Sequence, residues 1–158
     1  MMPFPIARRG PTARMLRRQY FRRQARRWRM IRLAPLPLRV TSGLIMMVHG
    51  QQKLFGESKE SFPNVVASLG VPQAQTVAKG VSILEFFGGL ALMAGLFTRP
   101  IALLLAGQFA YVTFKMKFNQ GFNAYEFDLA LIGGFLSLVL TGGGAGSLDR
   151  VLFGRERA

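Results

Sequence analysis

Four long stretches of the sequence are apolar on every side, and they limit the folds open to this chain more than any other feature. They cover residues 36–55, 77–97, 100–114 and 127–141. A membrane span needs about 20 apolar residues to cross a hydrocarbon core about 30 Å thick, and the two shorter stretches reach that length with their flanks. The alternative, a soluble bundle, would need a polar stripe on each helix, which these stretches lack. The sequence therefore predicts an all-α fold, a transmembrane four-helix bundle.

A basic segment precedes the first span. Residues 1–40 contain twelve arginines and neither lysine nor acid, whereas residues 41–158 contain nine lysines or arginines against seven acids. We predict a cytoplasmic or interfacial arm at residues 1–35 that can form a helix, a membrane domain at residues 36–152 and a short tail at residues 153–158. Each arginine near an anionic leaflet contributes about 1 kcal/mol of binding. The predicted contacts with anionic lipid are Arg17, Arg18, Arg22, Arg23, Arg26, Arg27 and Arg29.

The arm also has other interpretations. A solvated tail or a coding start at Met30 would account for it. An organelle transit peptide is also rich in arginine and poor in acids, although the serine usual in such peptides is missing here. Contact with nucleic acid is the less favoured alternative, since arginine runs bind phosphates without reading a sequence.

The charges beside the spans predict the orientation, because lysine and arginine collect on the cytoplasmic side. Arginines are concentrated before the first span, Arg99 lies in the turn after the second, and three arginines follow the fourth. Four crossings bring these three regions to one side, although Lys115 and Lys117 then lie outside. We therefore predict a multi-pass protein of the cell inner membrane with both termini cytoplasmic.

Small residues predict which helix faces look inward, because they let neighbouring backbones approach. On the first span these are Gly43 and Gly50. On the second span the predicted inward face comprises Ser82, Glu85, Gly88, Gly89 and Leu92. On the fourth it comprises Glu126, Ala130, Gly133, Ser137 and Thr141.

Ionisable and amide side chains within the spans are the candidate functional residues. A charge near the bilayer centre costs about 2.5–3.5 kcal/mol on insertion scales, so it rarely faces lipid. In the four-span topology each helix delivers such a group to the outer half of the bundle. The candidates for ligand binding or proton transfer are His49, Gln52, Lys53, Glu85, Gln108 and Glu126.

This cluster has three interpretations. Lys53 or His49 could pair with Glu85 and hold the helices together, the cluster could bind a ligand such as a quinone head group, or it could pass protons. Polar contacts between membrane helices contribute only about 0.6–2 kcal/mol each, so a cluster this dense exceeds what packing requires.

The residue types that are missing restrict the chemistry. With no cysteine and one histidine, disulfides and thiolate sites are excluded, and we predict no metal and no cofactor held by protein ligands alone. The glycine-rich residues 142–146 lack the Lys-Ser or Lys-Thr of a phosphate loop. Ser147 or Asp149 is expected to begin a short C-terminal helix.

Several short motifs, in order, resemble the DoxX family of small bacterial membrane proteins with four helices. They are Gly43, the run HGQQKLFG at residues 49–56, Gly80 with Glu85, the pair Gly88 and Gly89, GLFTR at residues 95–99, QGF at residues 120–122 before Glu126, and residues 144–149. The resemblance covers residues 38–152. The arginine arm departs from the family, as does an outer loop without the histidine often found there.

The resemblance implies an integral membrane protein. Some relatives are linked to quinone-dependent oxidation of sulfur compounds or to membrane complexes that manage oxidative stress. We therefore predict a subunit of a redox-associated complex, with a quinone as the candidate cofactor and with partner oxidoreductase subunits, because the chain carries no electron-carrier motif of its own. The alternative, which distantly similar chaperones and cargo receptors suggest, is a scaffold or assembly factor whose polar cluster is purely structural.

Overall fold

The computed structural model describes residues 32–154, and every regular element in this range is helical. The helices are α1 (Pro35–Phe55), α2 (Ser58–Ser68), α3 (Ala74–Ala94), α4 (Thr98–Val112), α5 (Phe122–Thr141) and α6 (Leu148–Leu152). A π-helical turn at Thr113–Lys117 and a 3-10 turn at Phe118–Gln120 prolong α4. The predicted lipid contacts of the arm lie outside the described residues, as do residues 155–158.

The long helices α1, α3, α4 and α5 form the bundle. The closest pairs are α1 with α3 and α4 with α5, and contacts of α1 with α5 and of α3 with α4 complete it. The short α2 packs on α1 and α3 where α1 finishes and α3 begins, and we call this the α2 end. The predicted all-α four-helix fold and the short helix in its first loop are confirmed.

Three helical segments are long and apolar enough to cross a membrane, namely Ala74–Ala94, Thr98–Gln120 and Phe122–Thr141. The fourth long helix, α1, has 21 residues, so it is about 31 Å long, but its polar residues lower its hydropathy. It nevertheless runs the length of the bundle. Arg39, near its start, bonds to the chain after α5, and Lys53, near its finish, bonds to α3.

The outside of the bundle carries large apolar side chains, as its core does. The core contains Met46, Leu92, Leu105, Phe135 and Leu138, all at 0% exposure. Large apolar side chains also project outward along the long helices, among them Leu44, Ile83, Phe87, Leu103, Leu104, Leu136 and Leu140. Such a surface suits lipid, where every backbone polar group must be satisfied within the helix.

The predicted inward face of α3 is confirmed, because all five of its residues are buried. The prediction for α5 is wrong. The buried residues of α5 are Asp128, Leu131, Phe135 and Leu138, whereas Glu126, Ala130, Gly133, Ser137 and Thr141 are exposed. The larger side chains fill the core, and the hydroxyls of Ser137 and Thr141 can face outward because they bond to carbonyls of their own helix at 2.8 and 2.7 Å.

Glycines let α1 and α3 touch through their backbones. A Cβ atom on Gly43 would lie 2.6 Å from the carbonyl oxygen of Gly89, and one on Gly89 would lie 2.5 Å from the carbonyl oxygen of Gly43. Gly50 faces the backbone of Phe86 in the same way. The expected inward position of Gly43 and Gly50 is confirmed.

At the end opposite α2, the glycine-rich segment folds back over the bundle. The guanidinium of Arg39 donates to the carbonyl oxygens of Gly143 at 2.6 Å and Gly146 at 2.7 Å. The carboxylate of Asp149 accepts hydrogen bonds from the backbone N–H groups of Phe97 at 2.6 Å and Thr98 at 3.0 Å. The short C-terminal helix exists as expected and begins after Ser147, one of the two predicted residues, whereas Asp149 caps α4.

Candidate ligand site

Glu85 is the centre of a polar group that joins three helices. It lies on the inward face of α3 and is 0% exposed. The ammonium of Lys53, on α1, donates to both carboxylate oxygens of Glu85 at 2.7 Å. The side-chain amide of Gln108, on α4, donates to the Oε1 atom of Glu85. The negative charge of Glu85 is therefore neutralised and hydrogen-bonded inside the protein.

Lys53 also connects this group to α2. Its side chain is 22% exposed, and its Nζ atom lies 4.3 Å from the centroid of the Phe62 ring. A cation over an aromatic face is stabilised by the ring quadrupole. The expected ion pair within the bundle is thus made by Lys53 rather than by His49.

His49 lies one turn before Lys53 on α1 and is half-buried. Its ring packs edge-on against Phe127 of α5, with the ring centroids 6.4 Å apart. This contact places the imidazole beside α5, near the residue that follows Phe127.

That residue, Asp128, is the centre of a second polar group. It is 2% exposed, and the ammonium of Lys117 lies 3.0 Å from its Oδ1 atom and 2.8 Å from its Oδ2 atom. The hydroxyl of Thr113 donates to Oδ2 at 3.1 Å. Thr113 and Lys117 are the first and last residues of the π-helical turn, which therefore presents both to the same carboxylate.

A cavity of about 570 Å³ lies between the two polar groups, at the α2 end of the bundle. Its size is within the usual range of small-molecule sites, about 300–1,000 Å³. Its main polar lining residues are His49, Gln52, Lys53, Glu85, Gln108, Lys117 and Asp128. Most of the remaining wall is apolar, and α2 contributes to it with Phe62, Val65, Val66 and Leu69.

One polar atom of the cavity wall has no partner among the described residues. The Oε1 atom of Gln108 is buried and accepts no hydrogen bond from this part of the protein. A buried acceptor left unsatisfied costs about 1–3 kcal/mol. The atom is closed to water in this conformation, so a ligand donor would satisfy it only after neighbouring side chains move aside.

The structure brings five of the six predicted residues to the cavity, and Glu126 is the exception. Glu126 is exposed on α5, so its predicted place in the cluster is wrong. Asp128 lies inside instead of Glu126, because side chains two positions apart project from nearly opposite sides of a helix. The signal that identifies Asp128 in the sequence is its spacing from the large apolar residues Leu131, Phe135 and Leu138.

Comparison with known sequences agrees with the architecture. A family model described as DoxX matches residues 34–117, more than half of the 158 residues. The chain belongs to the DoxX family. It is accordingly an integral membrane protein, as the resemblance implied.

Three curated relatives match along most of their length. "Inner membrane protein YqjF" of Escherichia coli (strain K12) is 36% identical over 122 residues, covering 74% of this chain and 90% of that protein. "Putative oxidoreductase CatD" of Bacillus subtilis (strain 168) is 34% identical, covering 77% and 88%. "Inner membrane protein YphA" of Escherichia coli (strain K12) is 30% identical, covering 71% and 85%. No solved structure gives a significant match.

Proposed function

We propose that the cavity binds the polar head of a small amphiphile that reaches it from the membrane, with a quinone head group as the leading candidate. The observation that carries this proposal is the buried, unpartnered Oε1 atom of Gln108 in the wall of a largely apolar cavity. Apolar walls with a few convergent polar groups are the usual form of a small-molecule site.

The residues of the cavity fit a quinone. Its carbonyl oxygens would accept hydrogen bonds from Lys53, His49 or Gln52, and the hydroxyls of its reduced form would donate to Gln108 or Glu85. When bound, a quinone supplies the exchange of two electrons and two protons. The protein would hold the head group and present proton donors and acceptors to its oxygens.

We further propose that the protein is a subunit of a redox-associated complex in the cell inner membrane. The sequence has no cysteine and one histidine, so a partner protein would exchange electrons with the bound quinone. Two relatives are named inner membrane proteins and a third carries a name that includes oxidoreductase, which supports this assignment. The flanking arginines support cytoplasmic termini.

The test is ligand binding by the full chain in lipid nanodiscs. The probe is a decyl-substituted 1,4-benzoquinone, and the readout is its effect on the thermal unfolding midpoint. We expect stabilisation of the wild type and of the control Glu126→Gln, which loses an exposed carboxylate outside the cavity. Gln108→Leu should weaken binding of the corresponding hydroquinone about tenfold, the equivalent of one hydrogen bond, because its hydroxyl loses the Oε1 acceptor. A wild-type protein that gains no stability from the probe would refute the proposal.

A structural role is the second candidate, and one observation favours it. Lys53 neutralises Glu85 and Lys117 neutralises Asp128, as expected of pairs that only fix the positions of helices. On this interpretation Glu85→Gln lowers the unfolding midpoint and no quinone changes it. The nanodisc experiment therefore separates the two functions.

A further inference from the structure

The Asp128 group is a second polar end of the cavity. Both Asp128 and Lys117 line it, together with Glu85 and Lys53, yet the two ion pairs are made by different helices. Lys53 and Glu85 come from α1 and α3, whereas Lys117 and Asp128 come from the end of α4 and from α5. A ligand in the cavity therefore lies between two buried carboxylates, each with its own ammonium partner.

The separation of the two ends follows from α4. Gln108 bonds to Glu85 and Thr113 bonds to Asp128. Thr113, which begins the π-helical turn that prolongs α4, lies five positions after Gln108, about 7.5 Å along the helix axis. The two ends therefore lie at different levels along the bundle, more than one helical turn apart. His49 lies beside this space, because its ring contacts Phe127.

Each end can both donate and accept. The ammonium of the lysine donates hydrogen bonds, and the carboxylate of its partner accepts them. Within each pair the positive and negative charges cancel. The two pairs therefore give the cavity no net positive charge that would attract an anionic head group. A neutral ring with oxygen atoms at opposite positions would find a donor and an acceptor at each end, in its oxidised and in its reduced form.

We propose that the cavity selects a ring that carries oxygen atoms at two opposite positions, a 1,4-dione or the corresponding diol, with one oxygen at the Glu85 end and the other at the Asp128 end. This inference rests on the proposed function, and it adds Asp128 and Lys117 as residues that determine specificity. Thr113 acts as a positioning residue for Asp128. Amphiphiles with one polar group would use only one end.

The test compares ligands with one and with two oxygens, in nanodiscs that contain the full chain. The probes are the decyl-substituted benzoquinone, its hydroquinone and decylphenol. We expect the wild type to bind the first two about tenfold more tightly than decylphenol, since the second oxygen adds a hydrogen bond. The double variant Lys117→Gln/Asp128→Asn should lose this preference while its affinity for decylphenol is unchanged. The control is Lys115→Gln/Glu126→Gln, which removes the same charges from exposed positions.

The outcomes separate this inference from the proposed function. If no probe binds the wild type, the proposed function fails. If the probes bind but the double variant affects all of them equally, or none, the second end is not used. Should the double variant fail to fold, an azido-substituted benzoquinone can photolabel the wild type. Labelling in the segments around Lys117 or Asp128, as well as around Glu85 or Gln108, is expected, and labelling of the Glu85 side alone would overturn the inference.

Discussion

At the scale of single residues, the buried acids of this membrane protein are accompanied by their own cations. Glu85 is 0% exposed, and the Lys53 ammonium lies 2.7 Å from each of its oxygens. A buried ion pair is a modest source of stability, because desolvation of both charges offsets much of their attraction. Its removal is costly only when one charge stays behind without a partner.

Lys53→Met should therefore destabilise the protein strongly. It leaves the Glu85 carboxylate buried with Gln108 as its sole described donor, and breaking a buried pair in this way costs about 3–5 kcal/mol. The measurement is the free energy of unfolding in detergent. The double variant Lys53→Met/Glu85→Leu removes both charges and should recover most of the loss.

Lys115→Met is the matched control, since Lys115 is exposed and its loss should change the unfolding free energy by less than about 0.5 kcal/mol. Equal destabilisation by the single and the double variants at residues 53 and 85 would show that Lys53 contributes through packing rather than through its charge.

At the scale of helices, the packing of α1 on α3 depends on glycines, which have no side chain. The backbones of Gly43 on α1 and Gly89 on α3 meet at distances that leave no room for a Cβ atom. This approach brings α1 close enough for Lys53 to reach Glu85. The packing of α1 on α3 and the ion pair in the cavity are therefore linked.

Gly89→Ala should lower the free energy of unfolding by about 1–3 kcal/mol, because the added methyl group forces the backbones of α1 and α3 apart. Gly80 is the matched control on the same helix, since a Cβ atom there meets nothing within 4 Å. Gly80→Ala should stabilise the protein by up to about 1 kcal/mol through helix propensity alone. Thermal and denaturant unfolding of both variants would check this, and equal stability would refute a backbone contact between α1 and α3.

At the scale of the whole molecule, Arg39 closes the end opposite the cavity. Arg39 is 2% exposed, and its guanidinium bonds to two carbonyl oxygens of the glycine-rich segment after α5. The first and last long helices of the bundle are joined there. This hydrogen bond joins Arg39 and Gly143, which are 104 residues apart in the chain.

Arg39→Met should reduce the free energy of unfolding by about 3 kcal/mol, since hydrogen bonds to a charged group contribute about 1.5–3 kcal/mol each and two carbonyls would lose a donor. Arg150→Met is the control, because Arg150 is exposed at the same end of the protein. If both variants unfold alike, the contact of Arg39 with residues 143 and 146 contributes no stability.

The topology can be tested with single cysteines, because the sequence has none of its own. We predict that Ser68→Cys reacts with an impermeant maleimide on intact cells, whereas Ala34→Cys and Arg150→Cys react only after lysis. This pattern requires α1 to cross the membrane in spite of its lower hydropathy. Labelling of positions 34 and 68 from the same side would show that α1 does not cross.

The fold class was predictable from the sequence. An apolar surface on every side of a long segment is a property of that segment alone, and in a membrane it permits only a helix. The inward face of α3 was also predictable, since Glu85 and the glycines beside it leave one face that can be buried. The place of Lys53 and Gln108 beside Glu85, and of His49 in the wall of the same cavity, followed from depth alone.

The inward face of α5 could not be decided in this way. Glu126 and Asp128 are two positions apart, and each lies on a stripe with helical spacing, so local pattern permits either acid to be inside. Successive side chains of a helix are about 100° apart, and only the neighbours of α5 determine its rotation. The packing of Phe135 and Leu138 in the core decided it, turned Asp128 toward Lys117 and Thr113, and so created the second end of the cavity. The sequence by itself determined that this chain forms a membrane bundle with charges inside, while the tertiary structure decided which charges meet, because pairing depends on the rotation of whole helices.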